Sequence, residues 1–393
     1  MGPLTEFRYT SYAQEIIFGP GALARLSEAV DRFGWRRLML CTTGSARRGG
    51  RVARIEAALG ARLAATYDRV QPHVPDSQVA EALALAVERK VDAVIGLGGG
   101  SPIGMAKALA LALEEERAGR PARAASPTDQ PLIPVVAIPT TYAGSEMTAV
   151  YGVRQHEGGS SRKVTVADPK IAPKLVIYDP ELTLDLPPEL TASTGINALA
   201  HCIEALYSIT RHPLSTAAAL RGVRHIANAL PRCYANGNDL GARSEMLMGA
   251  HLAGASLASV AMGLHHGLCH ILGGTAGVPH GVANSIILPH AMRFNASATA
   301  PQPPTQGWGL QAAEAMGIAL NGRSAEAAVE AAAQKVYELV GHMNLPQHLR
   351  DAGVKEADLP RLAQLAFQSR TVQNNPKPIT DPAQVEALLR AAW

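Results

Sequence analysis

Val91-Asp92-Ala93-Val94-Ile95-Gly96-Leu97-Gly98-Gly99-Gly100-Ser101-Pro102 decides how this chain folds. A short aliphatic run without polar alternation reads as a strand buried on both faces, the pattern of a parallel sheet. It passes directly into three glycines, and Pro102 is expected to open a helix reaching about Leu113, with proline at its first position. Working outward, Arg37-Leu38-Met39-Leu40-Cys41-Thr42 and Pro134-Val135-Val136-Ala137-Ile138 read as further strands. Helical periodicity covers residues 50–59 and 78–89 between them. Strand, helix, strand in this order predicts a parallel sheet with helices on both faces.

From Met147 to Tyr178 short polar runs around Gly158-Gly159 predict a hairpin, and Lys174 to Tyr178 a last strand. Beyond Pro187-Pro188 the period is helical, over 191–209, 213–230, 240–260 and 263–273. The expected division is therefore an α/β dinucleotide-binding domain over 1–186 and an all-helical catalytic domain over 187–393. Gly119 to Pro131 and Ala300 to Gly307 read as surface insertions.

At 393 residues the chain has length enough for two cores. A net charge of +3 and only 4% aromatic residues, with no basic run, argue against nucleic acid and anionic membranes as partners. A small molecule is the expected partner. Cys41, Cys202, Cys233 and Cys269 show no paired spacing, as expected of buried thiols in a reducing cytoplasm, with Cys269 open to thiol reagents. No signal peptide and no membrane-spanning run is expected.

Glycines after a buried strand let backbone approach a diphosphate and aim free N–H groups and the helix dipole at it. Gly98, Gly99, Gly100 and Ser101 fit that role, although GxGxxG is absent and a plain tight turn gives the same residues. Pro139-Thr140-Thr141-Tyr142-Ala143-Gly144-Ser145 ends another strand, where Thr140, Thr141 and Ser145 offer hydroxyls to a ribose or phosphate. Lys163 adds a candidate cation. After the first strand, Thr42-Thr43-Gly44-Ser45 holds no acid to grip an adenosine 2′-hydroxyl, and Arg47-Arg48 follows, so a 2′-phosphate is tolerated.

In Gly263-Leu264-His265-His266-Gly267-Leu268-Cys269-His270, His266 and His270 share one helix face, and Asn197 and His201 repeat the spacing. His280 is expected just past the glycine-rich end of that helix. Imidazoles gathered on one pocket serve metal binding or proton transfer. A neutral amide at position 197, where an anionic ligand is wanted, leaves either a weak metal site or imidazoles acting directly.

Taken together these motifs resemble the iron-containing alcohol dehydrogenase superfamily, and within it the maleylacetate reductases. The resemblance rests on Ile16-Ile17-Phe18-Gly19-Pro20-Gly21-Ala22, the glycine loop with Lys107, Pro139-Thr140-Thr141, Asp179-Pro180, the helix from Gly195 to Glu204, and Pro279-His280-Gly281. His73-Val74-Pro75, Thr141 to Thr148, Ser193 to Ala198 and Leu264-His265-His266 look like the reductase versions. Three features depart from that branch: the reductases carry lysine where Gly267 stands, and both Gly281-Val282-Ala283-Asn284 and Gly98-Gly99-Gly100-Ser101-Pro102 look like the metal-dependent enzymes.

The resemblance implies a dehydroquinate synthase-like fold, an α/β nucleotide-binding domain followed by an all-α domain. It implies an NAD(P)H-dependent oxidoreductase, reducing maleylacetate to 3-oxoadipate in aromatic-compound catabolism, as a cytoplasmic homodimer acting on an oxo-acid. NADH or NADPH would lie on Thr43, His73, Gly98–Ser101, Thr140, Thr141, Ser145 and Lys163. His201, His266 and His280 would polarise the substrate carbonyl, His270 donate a proton, and Asn197 orient a ring or the substrate. No metal is expected; a bound one would sit on His201, His266 and His280, at positions that with Asn197 are ligands in metal-dependent relatives. Two alternatives stay open: a metal-dependent alcohol or hydroxy-acid dehydrogenase, and a non-redox dehydroquinate synthase-like enzyme or nucleotide-binding pseudoenzyme.

Overall fold

The structure, a computed structural model, describes residues 6–119, 132–157, 160–298 and 307–393, and of 155–157 and 160–163 the backbone alone. The Gly158-Gly159 turn and nearly all of both expected insertions lie outside the described residues. The chain divides into two compact units.

The first unit, Ser11–Asp185, contains β1 (Glu15–Phe18), α1 (Leu26–Phe33), β2 (Leu38–Cys41), α2 (Gly44–Arg48), α3 (Arg51–Leu59), β3 (Leu63–Tyr67), α4 (Asp76–Glu88), β4 (Ala93–Gly98), α5 (Gly100–Ala118), β5 (Val135–Pro139), β6 (Val150–Glu157), β7 (Ser160–Ala167) and β8 (Leu175–Tyr178). Six strands form one parallel sheet in the order β1-β8-β5-β4-β2-β3, and β6 and β7 form an antiparallel ribbon.

Alternation along each strand sorts its side chains into two cores. Leu38, Leu40, Ile95, Leu97 and Ile138 join Leu26, Val30, Val52 and Ile55 of α1 and α3. Met39, Cys41, Val94 and Val135 join Ala82 and Ala86 of α4 and Met105 and Leu109 of α5 on the opposite face. α5 begins at Gly100, two residues before the expected start, because the Ile103 N–H already donates to Gly99 O at 3.3 Å. Pro102 thus sits within the first turn, where no N–H is needed. β3, Leu63-Ala64-Ala65-Thr66-Tyr67, is a strand that periodicity misses: it is alanine-rich and pairs only with β2 at the sheet edge.

The second unit comprises Leu186–Trp393 with the residues ahead of Ser11. Its helices are α6 (Pro188–Tyr207), α7 (Pro213–Ala235), α8 (Leu240–Ser259), α9 (Leu264–Ala276), α10 (His280–Phe294), α11 (Trp308–Ala315), α12 (Ala325–His342), α13 (Leu359–Phe367), α14 (Arg370–Gln373) and α15 (Pro382–Ala391). α6 is buried almost all round from Thr191 to Tyr207, the mark of a central core helix. α7 continues past Pro231 to Ala235, beyond the expected end at residue 230. Burial of Ala229, Leu230 and Cys233 along one face overrides the helix-breaking residue. Leu264, Leu268 and Leu272 of α9 pack with Ile287 of α10, Leu362 of α13 and Leu389 of α15. Among the described residues no single helix is long and apolar enough to cross a membrane.

β4 and α5 approach so closely at Gly96 that a Cβ there would lie 2.8 Å from Ile103 Cα. Backbone cannot rotate away as a side chain can. Gly96→Ala is therefore expected to cost roughly 1–3 kcal/mol of stability, the scale of an overpacked core. Urea unfolding measures it, and an unchanged midpoint would refute the close approach.

Candidate active site

The carboxyl ends of β2, β4 and β5, neighbours in the sheet, carry the candidate nucleotide loops. From β2 the chain moves outward to β3, then crosses back to β4 and on to β5 the other way. The crevice between β2 and β4 is the topological switch point where ligands settle in open α/β sheets.

Gly98 has a φ of 140°, and its carbonyl accepts the Thr140 N–H at 3.0 Å. A Cβ on Gly99 would meet Thr141 Oγ1 at 3.1 Å, so the two loops close on each other with backbone alone between them. Ser101 Oγ accepts the His73 N–H at 3.3 Å. His73 and Val74 both hold positive φ, 66° and 50°, which is strained for a β-branched valine. Thr42 Oγ1 donates to Leu97 O at 2.8 Å, locking the end of β2 onto β4. The hydroxyl of Thr43 caps α2 through Ala46 N and shares a 2.8 Å hydrogen bond with Ser45 Oγ. His73, Gly98, Gly99, Gly100, Ser101, Thr140 and Thr141 are thus tied together, with Thr43 on the adjoining strand end. Lys163 lies opposite Arg154 in the β6–β7 ribbon, and its side chain is outside the described part.

Lys107 organises the loop after β5. It is fully buried, and its ammonium donates to Ser145 O at 2.6 Å, Thr148 O at 2.7 Å, Thr148 Oγ1 at 3.1 Å and Val150 O at 3.0 Å. Burial lowers its pKa to about 7, against the pull of Glu146. Ser145 thereby contributes its carbonyl to the scaffold.

The second cluster lies in the helical unit. α6 places Asn197 one turn before His201, with Glu204 on the same side. α9 supplies His265, His266 and His270, and His280 heads α10 as its first residue rather than trailing α9. His201 stacks on His266 with ring centroids 4.6 Å apart, and His270 stacks on His280 at 5.7 Å. His266 stands 6.5 Å from His270 and 6.2 Å from His280. All four expected imidazoles therefore meet. Asn197, His201 and His266 are buried, His280 is partly buried, and His270 is exposed.

Glu204 and His265 are functional neighbours that periodicity alone passes over, although His201-x-x-Glu204 on one helix face is a legible signal. Glu204 is wholly buried. Its carboxylate accepts the Gly263 N–H at 2.7 Å and touches His266 Nδ1, with His265 Nδ1 3.7 Å away. Burial alone would raise its pKa; His266 and His265 outweigh that and hold it well below the carboxylate range. Burial lowers His201 well below its ordinary value, reinforced by His266 and His280, and lowers His266 against the pull of Glu204. Burial also opposes charge on His265, but Cys269 and Glu204 win and raise it to about 10. Cys269, expected to meet thiol reagents, is fully enclosed with Sγ 3.8 Å from His265 Nε2.

Three buried atoms, Asn197 Oδ1, His201 Nδ1 and His266 Nε2, have no hydrogen-bond partner among the described residues. Buried polar atoms are nearly always paired, so atoms left open in one cluster mark where a ligand belongs. A carboxylate only accepts, so the hydrogen of neutral His266 lies on Nδ1 and its Nε2 is an acceptor. His266 thus differs from the carbonyl-polarising role expected of it. Gly267 presses on α14: a Cβ there would lie 2.4 Å from Val372 Cγ2.

Residues 13–180 match the family described as iron-containing alcohol dehydrogenase, and residues 191–393 the C-terminal part of the Fe-containing alcohol dehydrogenase family. The chain is 38% identical to maleylacetate reductase of Pseudomonas knackmussii over 96% of its own length and 95% of that protein. It is 35% identical to lactaldehyde reductase of Escherichia coli, covering 96% and 97%. The crystal structure of maleylacetate reductase from Agrobacterium tumefaciens superposes with a TM-score of 0.82 at 30% identity, covering 99% of both chains.

Gly99→Val would fill the space between the loops that follow β4 and β5, beside the β2–β4 crevice. Affinity for a nicotinamide dinucleotide is expected to fall tenfold or more, about 1.4 kcal/mol, with folding preserved. Fluorescence titration with NADH measures it; equal affinity would remove the loop from the cofactor site.

Proposed function

This chain belongs to the iron-containing alcohol dehydrogenase family, and we propose that it works as a maleylacetate reductase, converting maleylacetate to 3-oxoadipate with NADH or NADPH. The family makes it an NAD(P)-dependent oxidoreductase. One observation carries the finer reading: the open atoms Asn197 Oδ1, His201 Nδ1 and His266 Nε2 belong to an amide and two imidazoles with no carboxylate among them, in a chain with 38% identity to a maleylacetate reductase. That pairing favours direct imidazole chemistry over the metal-dependent and non-redox alternatives.

The family is named for iron, and Asn197, His201, His266 and His280 are the positions that would hold it. These residues do not fit the ion. Ligand atoms on a metal with bonds of about 2.1 Å lie within roughly 3–4 Å of one another. Among the described residues, the one group of three or more histidine, cysteine or acidic ligand atoms within 4.8 Å of each other is Glu204, His265 and His266. Those atoms are already engaged with one another. No carboxylate joins the open set, and an amide oxygen is a poor donor to a transition metal.

A dinucleotide fits the crevice between β2 and β4, whose glycine loop leaves backbone alone against Thr141. Acceptance of either coenzyme is supported by the absence of an acid on Thr42-Thr43-Gly44-Ser45. Arg47 is engaged with Asp68, and Arg48 follows it.

Bound there, the coenzyme would supply the hydride for reduction of the alkene conjugated with the substrate ketone, a reduction that passes through the substrate's enolate. His201 and His280 act as neutral hydrogen-bond donors to the ketone oxygen as negative charge develops on it. Asn197, one turn from His201, orients the substrate beside that ring. His270, exposed and stacked on His280, delivers the proton that turns the enolate into the saturated ketone, and recovers it from water. A homodimer in the cytoplasm, acting in aromatic-compound catabolism, completes the proposal; four buried cysteines that form no disulfide suit a reducing compartment.

Turnover of maleylacetate is expected to survive prolonged EDTA treatment, and both NADH and NADPH to support it. Loss on chelation with recovery on adding iron or zinc would favour the metal-dependent dehydrogenase instead. Asn197→Asp should increase metal uptake, read by elemental analysis, and impair the reduction. His270→Ala should lower kcat roughly a hundredfold, the scale of losing a general acid; a rate within twofold of the parent would remove His270 from that role.

A further inference from the structure

Glu204 is wholly buried, on the face of α6 that carries His201. α9 begins at Gly263 with no side-chain cap of its own, and the Glu204 carboxylate takes that place by accepting the Gly263 N–H at 2.7 Å. A carboxylate also favours the positive end of the helix dipole. The same carboxylate touches Nδ1 of His266, and the opposite ring nitrogen, Nε2, is buried with no partner among the described residues. Stacking on His201 at 4.6 Å, tilted by only 15°, holds the ring plane. His265 Nδ1 lies 3.2 Å from the same His266 nitrogen, but of the two neighbours only the carboxylate is confined to accepting. Hydrogen bond and stack together hold the ring in one rotation with Nδ1 toward Glu204.

We propose that Glu204 is a positioning residue of the active site, fixing the hydrogen of His266 on Nδ1 so that Nε2 is presented as an acceptor. His201 and His280 are left as the donors to the ketone, and His266 accepts from a relay water. An orienting carboxylate behind an imidazole sets which nitrogen faces the reaction, and its removal typically costs 10–100-fold. The kinetic consequence rests on the reductase reading above, whereas the ring tautomer does not.

Glu204→Gln separates positioning from capping. Glutamine still accepts the Gly263 N–H, but its amide N–H₂ donates to Nδ1 and drives the ring hydrogen to Nε2. In protein labelled with ¹⁵N-histidine, the ring signal that disappears in His266→Ala is expected to report hydrogen on Nδ1 in the parent and on Nε2 in Glu204→Gln. With maleylacetate, kcat should fall about 10–100-fold while KM for the coenzyme stays within about twofold. In a His266→Ala background the same substitution should cost nothing further, because the carboxylate acts through that ring. Glu204→Asp, if the glutamine variant fails to fold, should keep the hydrogen on Nδ1. A parent signal with the hydrogen on Nε2, or equal loss of kcat in both backgrounds, overturns the proposal. Absence of any turnover of maleylacetate by the parent would sink the reductase reading and leave the spectroscopic test standing.

Discussion

A charge taken out of water must assemble its solvation from the protein, and three buried charges organise both units of this chain. Glu204 gathers the Gly263 N–H and two imidazoles. Lys107 gathers the carbonyls of Ser145, Thr148 and Val150. Asp179 accepts the N–H groups of Gly21, Leu23 and Glu181, each at 3.1 Å. An unpaired buried charge costs several kcal/mol, so each cluster forms as a whole or not at all. Every one of them fixes a loop or helix start that apolar packing leaves loose. Two of the three stand directly behind candidate functional residues.

Hydrophobic burial supplies what these charges cannot, the gross layering. Leu38 and Leu40 serve one face of the sheet, and Met39 and Cys41 the other, so one four-residue strand anchors two cores. Such a strand tolerates no slip, because a shift by one residue exchanges its two faces. The loops at the carboxyl ends are therefore held on a rigid frame, which precise handling of a diphosphate requires.

Much of this was legible in the sequence. The strands around Leu38–Cys41, Ala93–Gly98 and Val135–Pro139 announce themselves by β-branched and aliphatic runs, and the helices of the second unit by their period. His201, His266, His270 and His280 meet as their spacing predicts. What stayed hidden depends on tertiary contact. β3 carries too little side-chain bulk to read as a strand and is one only because β2 lies beside it. Glu204 looks like any helical acid until α9 is packed on it. His266 is indistinguishable from His201 in sequence, and only the carboxylate at its Nδ1 gives it a different hydrogen-bonding character. Hydrogen positions on imidazoles are decided by neighbours far along the chain, and no local pattern encodes them.

Gly267 touches α14 so closely that its position and that of Val372 are one steric unit. The lysine of the resembled reductases enters at this point only if Val372 or α14 gives way, because its Cβ would overlap the valine methyl. Seen as an evolutionary landscape, the two sites are epistatic. A route between glycine and lysine passes through a smaller residue at 372 or a displaced α14.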